Sequence, residues 1–146
     1  MEFSDGNKYQ GEFKQDKRNG NGTFIWKKGN RYEGGWLNDE RSGNGTMMYQ
    51  NGDKYQGEWL KDQKSGRGTY YYKNGTIFEG NWFMDLRKGD GAIYYTNGDR
   101  FMGKYLNDDK NGMGSLIYKN GTIKTGFWAD DKLVDNDKIK KLTLII

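Results

Sequence analysis

Six glycines stand 23 residues apart, at Gly11, Gly34, Gly57, Gly80, Gly103 and Gly126, and this period constrains the chain more than any other feature. Two positions before them are Tyr9, Tyr32, Tyr55, Phe78 and Phe101, then Lys124. Two positions after them are Phe13, Trp36, Trp59, Trp82, Tyr105 and Trp128. A Gly-x-Gly pair recurs from Gly20/Gly22 to Gly112/Gly114, and a third glycine recurs from Gly6 to Gly121. A fixed period of this length means one supersecondary unit stacked on copies of itself. The sixth copy stops after Trp128, because Asp135 and Asp137 stand where the glycine pair would come. Residues 1–131 therefore read as five full repeats and a half repeat, and 132–146 as a C-terminal capping or docking tail.

Each unit holds two segments of alternating pattern, such as Lys54–Trp59 and Gly68–Tyr72. Alternation, aromatic enrichment and flanking Gly/Asn/Asp clusters predict strands. The links are short, so neighbouring strands pair antiparallel in chain order. The expected fold is all-β: an elongated, twisted, single-layer antiparallel meander of eleven strands, with no helix before Asp131. The Asn-Gly turns allow two registers. A two-residue turn at Asn51-Gly52 pairs Gln50 with Asp53. A three-residue loop with Gly52 in the left-handed bulge position pairs Tyr49 with Asp53. The second register sets Met47 against Tyr55, Gly45 against Gly57 and Gly43 against Trp59. It gathers all glycines and rings on one face, where a ring lies flat over a backbone without Cβ. The expected core is Tyr9, Gly11, Tyr32, Trp36, Tyr55, Gly57, Trp59, Phe78, Gly80, Trp82, Phe101, Gly103 and Trp128.

Composition narrows the function classes. Hydrophobic residues are 33% of the chain, too few for a thick aliphatic core, yet aromatics reach 16%, too many for disorder. The chain has no Cys and no His, so a thiol nucleophile, a histidine base and a Cys/His zinc site are impossible. The net charge of +4 is dispersed and forms no nucleic-acid stripe. Asn107-x-Asp109-x-Asn111-Gly112 resembles the start of a calcium loop, but its twelfth position is Tyr118 rather than Glu. The pairs Gly20/Gly22 and Gly66/Gly68 lead into strands, not helices, so they are not nucleotide cradles. Glu12, Glu33, Glu58 and Glu79 form no acid–base pair and read as solvated or paired with cross-strand Lys or Arg. No catalytic residue, metal or cofactor is expected. The N-terminus lacks a basic start and an apolar run, so a soluble cytoplasmic protein is the expectation.

These residues resemble the MORN repeat (membrane occupation and recognition nexus), whose pattern is Tyr-x-Gly-x-Trp, then Gly-x-Gly, then a turn glycine. The resemblance runs from residue 5 to 128. It implies a curved single-layer sheet without catalytic activity, and a scaffold role of the kind seen in ciliary radial spokes and cytoskeletal rings. Two departures stand out. The loop after the Trp carries Asp16, Asp39, Asp62, Asp85, Asp108 and Asp131 where the family usually has glycine. Asp tolerates the left-handed conformation and can bond its own backbone. The position after the Trp reads Leu37, Leu60, Phe83 and Leu106, and the middle of the second strand reads Met48, Tyr71, Tyr94 and Ile117. Both sets point away from the ring face and are expected to form one apolar stripe along the second face. As a partner surface they are the candidate binding residues. As local packing, each Leu would pair with a neighbouring Met or Tyr.

The function expected is a non-catalytic scaffold for protein partners in a multi-subunit ciliary, axonemal or other cytoskeletal assembly, with self-association open. The alternatives are a peripheral module for anionic lipid and an accessory subunit of a separate enzyme. Nucleic acid is not an expected partner, and membrane binding is expected to be weak or absent. Lys138-Ile139-Lys140-Lys141 carries only three charges. The tail holds Leu133, Val134, Ile139, Leu142, Leu144, Ile145 and Ile146, and is expected to cover the last strand edge or a face.

Overall fold

A computed structural model describes residues 1–134. Strands carrying the Tyr-x-Gly-x-Trp pattern or its variants are β1 (Lys8–Lys14), β3 (Arg31–Leu37), β5 (Lys54–Leu60), β7 (Ile77–Phe83), β9 (Arg100–Leu106) and β11 (Ile123–Ala129). They alternate with β2 (Lys17–Ile25), β4 (Glu40–Met48), β6 (Gln63–Tyr71), β8 (Leu86–Tyr94), β10 (Asp109–Ile117) and the short β12 (Lys132–Leu133). All twelve form one antiparallel sheet in chain order. The twelfth strand goes beyond the eleven expected. The tail begins by pairing Leu133 with Trp128 and Lys132 with Ala129, so its first residues cover part of the β11 edge. The rest of the expected tail contacts, including Ile139, Leu142, Leu144, Ile145, Ile146 and the Lys138–Lys141 run, lie outside the described residues.

The register is the one that the three-residue loop predicts. Met47 faces Tyr55, Gly45 faces Gly57 and Gly43 faces Trp59. The Tyr49 N–H donates to the Asp53 carbonyl at 2.9 Å and the Gly52 N–H to the Tyr49 carbonyl at 3.0 Å. Gly52 takes φ +98°, a conformation costly for any residue with Cβ. The other links are two-residue turns in which both residues are left-handed, such as Lys61 (φ 47°) and Asp62 (φ 68°). This double positive φ suits the right-handed twist of the flanking strands.

The even strands that follow these turns, β2 to β10, have nine residues against seven in the odd ones, and a bulge absorbs the difference. Gly57 pairs with Gly68 and Trp59 with Lys64, so Glu58 alone faces Ser65, Gly66 and Arg67. Gly66 sits at φ +95° to make the bend. The Glu58 carboxylate accepts the Arg67 N–H at 2.6 Å, and Glu12 accepts the Asn21 N–H at 2.5 Å. These two glutamates therefore cap bulge amides, a role outside the expected choice between solvent and cross-strand Lys or Arg side chains. Glu79 lies 3.6 Å from Arg67 of the neighbouring strand, a cross-strand ion pair as expected, while Glu33 lies 3.3 Å from Arg31 of its own strand. Bulges raise local twist, so one per repeat curls the sheet.

The core lies on one face and is one residue deep. Tyr32, Tyr55, Phe78 and Phe101 are fully buried, each ring lying over a glycine pair of neighbouring strands. The Tyr55 hydroxyl donates to the Glu58 carbonyl at 2.9 Å. Tyr55 meets Trp59 edge-on at 5.2 Å and Trp82 of the next repeat at 5.4 Å, and the same zigzag recurs along the array. Such pairs add about 0.5–1.5 kcal/mol each beyond area burial. The indole N–H groups of Trp36, Trp59, Trp82 and Trp128 donate to the carbonyls of Gly22, Gly45, Gly68 and Gly114 at 3.1–3.4 Å. Tyr105 occupies the same row, and its buried hydroxyl has no hydrogen-bond partner among the described residues.

A Cβ on Gly57 would press into the Gly68 backbone and stand 2.6 Å from the Arg67 carbonyl oxygen, whereas Thr69 points to the opposite face. Gly57→Val should cost about 3 kcal/mol or more and Thr69→Val within about 0.5 kcal/mol, read from urea unfolding. Tyr105→Trp should supply the missing N–H to the Gly91 carbonyl and stabilise by about 1 kcal/mol, while Tyr105→Phe should be neutral or stabilising. A clear loss of stability in Tyr105→Phe would show that the hydroxyl has a partner.

Candidate functional site

The ring face carries a feature that the expected core left out. Arg18, Arg41, Lys64, Arg87 and Lys110 also recur every 23 residues, at the second position of each even strand from β2 to β10. Each lies over rings of its own and the following repeat: Arg41 stands 4.6 Å from the Trp59 ring centroid and Lys64 4.8 Å from that of Trp82. The turn aspartates answer them. Asp62 Oδ1 accepts the Arg41 backbone N–H at 2.9 Å and its Nε at 2.8 Å. The Asp62 N–H donates back to the Arg41 carbonyl at 3.1 Å. Asp39 and Asp108 do the same for Arg18 and Arg87. Asp85 and Asp131 accept the backbone N–H of Lys64 and Lys110. These aspartates thus bond the preceding repeat, not their own backbone as expected. The 23-residue period held the signal for the basic row, but only the register shows which ring each cation covers.

This arrangement is a clasp between repeats, and its electrostatics fit that role. The Arg18 N–H, with its guanidinium, holds the Asp39 carboxyl below the ordinary carboxylate range. At Asp53 burial pushes upward, but the Lys73 N–H and the Tyr70 hydroxyl outweigh it and the net direction is down. Burial pulls the Lys64 ammonium below its ordinary value. The Tyr70, Tyr55 and Tyr105 phenols are pushed up by burial. At the other long edge, loops are stitched in the same way. Asn7, Asn30, Asp53 and Asp99 accept the backbone N–H of Lys27, Gln50, Lys73 and Lys119 in the next loop.

The second face corrects the expected single stripe. Leu37, Leu60, Phe83 and Leu106 lie beside the two-residue turns, opposite Glu40, Gln63, Leu86 and Asp109. Met48, Tyr71, Tyr94 and Ile117 lie at the far end, beside the three-residue loops. Met48 faces Arg31 and Lys54, and Tyr71 faces Lys54 and Ile77. Along β3, Arg31 and Leu37 are six residues apart, so the two rows are separated by about 20 Å. The local-packing alternative, in which each Leu pairs with a neighbouring Met or Tyr, therefore does not occur. Antiparallel order explains this: both sets sit near strand C-termini, and consecutive strands end at opposite edges. The band between them is polar at Glu33, Thr46, Gln56, Thr69 and Glu79 and turns apolar at Ala92 and Met102.

Both rows are open. Leu37 is 52% exposed, Leu60 54%, Phe83 51%, Met48 47% and Tyr94 39%. Hollows of about 420, 300 and 360 Å³ open on this face, the first against Lys8, Ile25 and Arg31, the second against Arg31, Thr46 and Met48, the third against Glu79, Ala92 and Tyr94. Among the described residues, no group of three His, Cys, Asp or Glu could hold a metal ion, and no helix is long and apolar enough to cross a membrane.

With this geometry in place, the comparisons agree with the repeat. The model of the MORN repeat matches residues 9–31, 32–54, 55–77, 78–100 and 101–123. The chain belongs to the MORN-repeat family, a family of non-enzymatic repeat scaffolds for protein or membrane interaction. No curated protein matches it. Among solved structures it is similar to the SAS-4 (dCPAP) TCP domain of Drosophila melanogaster, solved in complex with a proline-rich motif of Ana2 (dSTIL). The TM-score is 0.53 at 20% identity, over 76% of this chain and 61% of that one, and the likeness is one of fold.

The clasp at one edge and the stitched loops at the other yield a pH dependence. Asp39 and Asp53 bind protons less readily folded than unfolded, so their stabilisation is complete above the unfolded carboxylate value of about 4. It is lost as pH falls through their lower folded values. Tm should fall steadily below about pH 4, and less steeply in Asp39→Asn, which keeps the left-handed turn and the acceptor oxygen but cannot titrate. Parallel acid limbs in the two proteins would remove Asp39 from the clasp.

Proposed function

We propose that this chain is a non-catalytic docking scaffold that holds a segment of a partner protein within a larger assembly. The observation that carries the reading is the contrast between its faces. One face buries its rings through contacts within and between repeats. The other leaves apolar side chains in rows across the sheet, beside hollows and with no covering layer among the described residues. Isolated exposed apolar residues need no explanation, but rows repeated over successive units mark an interaction surface. Twelve strands at about 4.8 Å give a sheet more than 50 Å long, enough for the roughly 800 Å² per partner of a standard interface. The neighbouring fold of SAS-4 was solved with a proline-rich motif bound, which is consistent with a sheet of this shape receiving a peptide. The cytoplasmic, ciliary or cytoskeletal setting we propose rests on the family resemblance alone.

Because the two rows are far apart, they can be tested separately. Leu60→Ser with Phe83→Ser empties one row, and Tyr71→Thr with Tyr94→Thr the other. Affinity capture with quantitative mass spectrometry should show that at least one pair of substitutions loses the partner while circular dichroism and Tm remain near wild type. Retained assembly in both variants, with intact folds, would assign the rows to strand propensity alone.

A further inference from the structure

The row beside the three-residue loops has a chemistry that its apolar members alone do not reveal. Read across the pairings from β1 to β11, basic and apolar residues share it. Lys8, Arg31, Lys54 and Arg100 recur at the same place in successive odd strands, with Ile77 taking the fourth place. Between them on the even strands stand Ile25, Met48, Tyr71, Tyr94 and Ile117. No acidic residue lies in the row. Arg31 meets Glu33 at 3.3 Å, while Lys8, Lys54 and Arg100 make no ion pair among the described residues. The Lys54 ammonium rests 4.4 Å from the Tyr71 ring centroid, which orders it without neutralising it.

Building on the docking reading, we infer that this row takes an acidic, extended segment of a partner protein, with a carboxylate at every third residue and apolar residues between. The spacing argues for an extended chain. One repeat advances two strands, about 9.6 Å, and three residues of polyproline II advance about 9.3 Å. From Lys8 to Arg100 is four repeats, about 38 Å, which twelve extended residues match within about 1 Å. A helix returns the same face every seven residues, about 10.5 Å, and slips by more than 3 Å over that span. Charge complementarity fixes the sign of the partner, and the Ile77 position calls for an apolar residue where the fourth carboxylate would fall. The width argues against a lipid surface. The row is one residue wide, bordered inward by Glu33, Thr46, Gln56, Thr69 and Glu79. The hollows at Ile25, Arg31, Met48 and Tyr94, which Glu2, Glu33, Glu79 and Asp90 also line, suit the apolar side chains of a single chain, with its carboxylates over the basic positions.

Titration calorimetry with synthetic 15-residue peptides tests this. One peptide carries Glu at positions 1, 4, 7, 10 and 13 with Pro and Leu between, one has the same composition with Glu at positions 1, 4, 8, 11 and 15 in a heptad pattern, and one has Lys for Glu. The first should bind most tightly, at least tenfold over the other two, and weaken as salt is raised. Lys54→Glu with Arg100→Glu should weaken it at least tenfold, whereas Lys14→Glu with Lys17→Glu, an equal change of charge at the opposite edge, should weaken it less than twofold. Equal loss in the two variants, equal binding of the heptad peptide, or binding only to vesicles containing 30% phosphatidylserine would each overturn the inference. If no peptide binds while the apolar variants still break the assembly, the docking reading stands and the acidic segment falls.

Discussion

An aromatic ring lying flat on two facing glycines is the interaction on which the rest of this molecule depends. A single-layer sheet has no second layer to shield its side chains, so the rings must be shielded by the sheet itself. Removing Cβ at Gly57 and Gly68 lets Tyr55 lie against bare backbone, and Trp59 and Trp82 close over its two sides. Burial that other folds obtain from packed layers is obtained here from rings laid sideways along the array. A branched residue at either glycine would occupy the volume of the ring, and no neighbouring layer could shift to make room.

Stacking rings would leave the repeats joined mainly through apolar contacts and the strand ladder. The basic row and the turn aspartates make the join directional. Arg41 reaches forward over Trp59 and holds Asp62, which stands in the left-handed turn that ends the next odd strand. Asp is useful there because it tolerates the turn conformation and offers an acceptor, which glycine does not. One residue thus serves the local turn and the coupling between units. Since the ring face is consumed by this internal bonding, the second face is the one left with open apolar and basic rows.

The regular period and the family resemblance make most of the fold legible in the sequence. The three-residue loop and its left-handed Gly52 followed from where the rings and glycines had to meet. The bulge at Glu58 was not legible, because its evidence is a difference of two residues between paired strands that only the pairing exposes. The candidate residues on the second face were placed on the correct face but joined into one stripe. Alternation tells which way a side chain points, yet not which end of the sheet it occupies. Leu37 and Met48 are eleven residues apart in the chain, and the turn between their strands sends them to opposite edges.

The sequence by itself determined the repeat, the strand type, the facing of each side chain and the absence of thiol and imidazole chemistry. These are properties of single residues and of their spacing, so a pattern is sufficient to state them. The tertiary structure decided which residues become neighbours across strands: that Asp62 clasps Arg41, that Tyr105 lacks the bond its tryptophan counterparts make, and that Met48 lies between Arg31 and Lys54 rather than beside Leu37. Those facts depend on register and on bulges, which sum the geometry of many residues, and no single position in the sequence carries them.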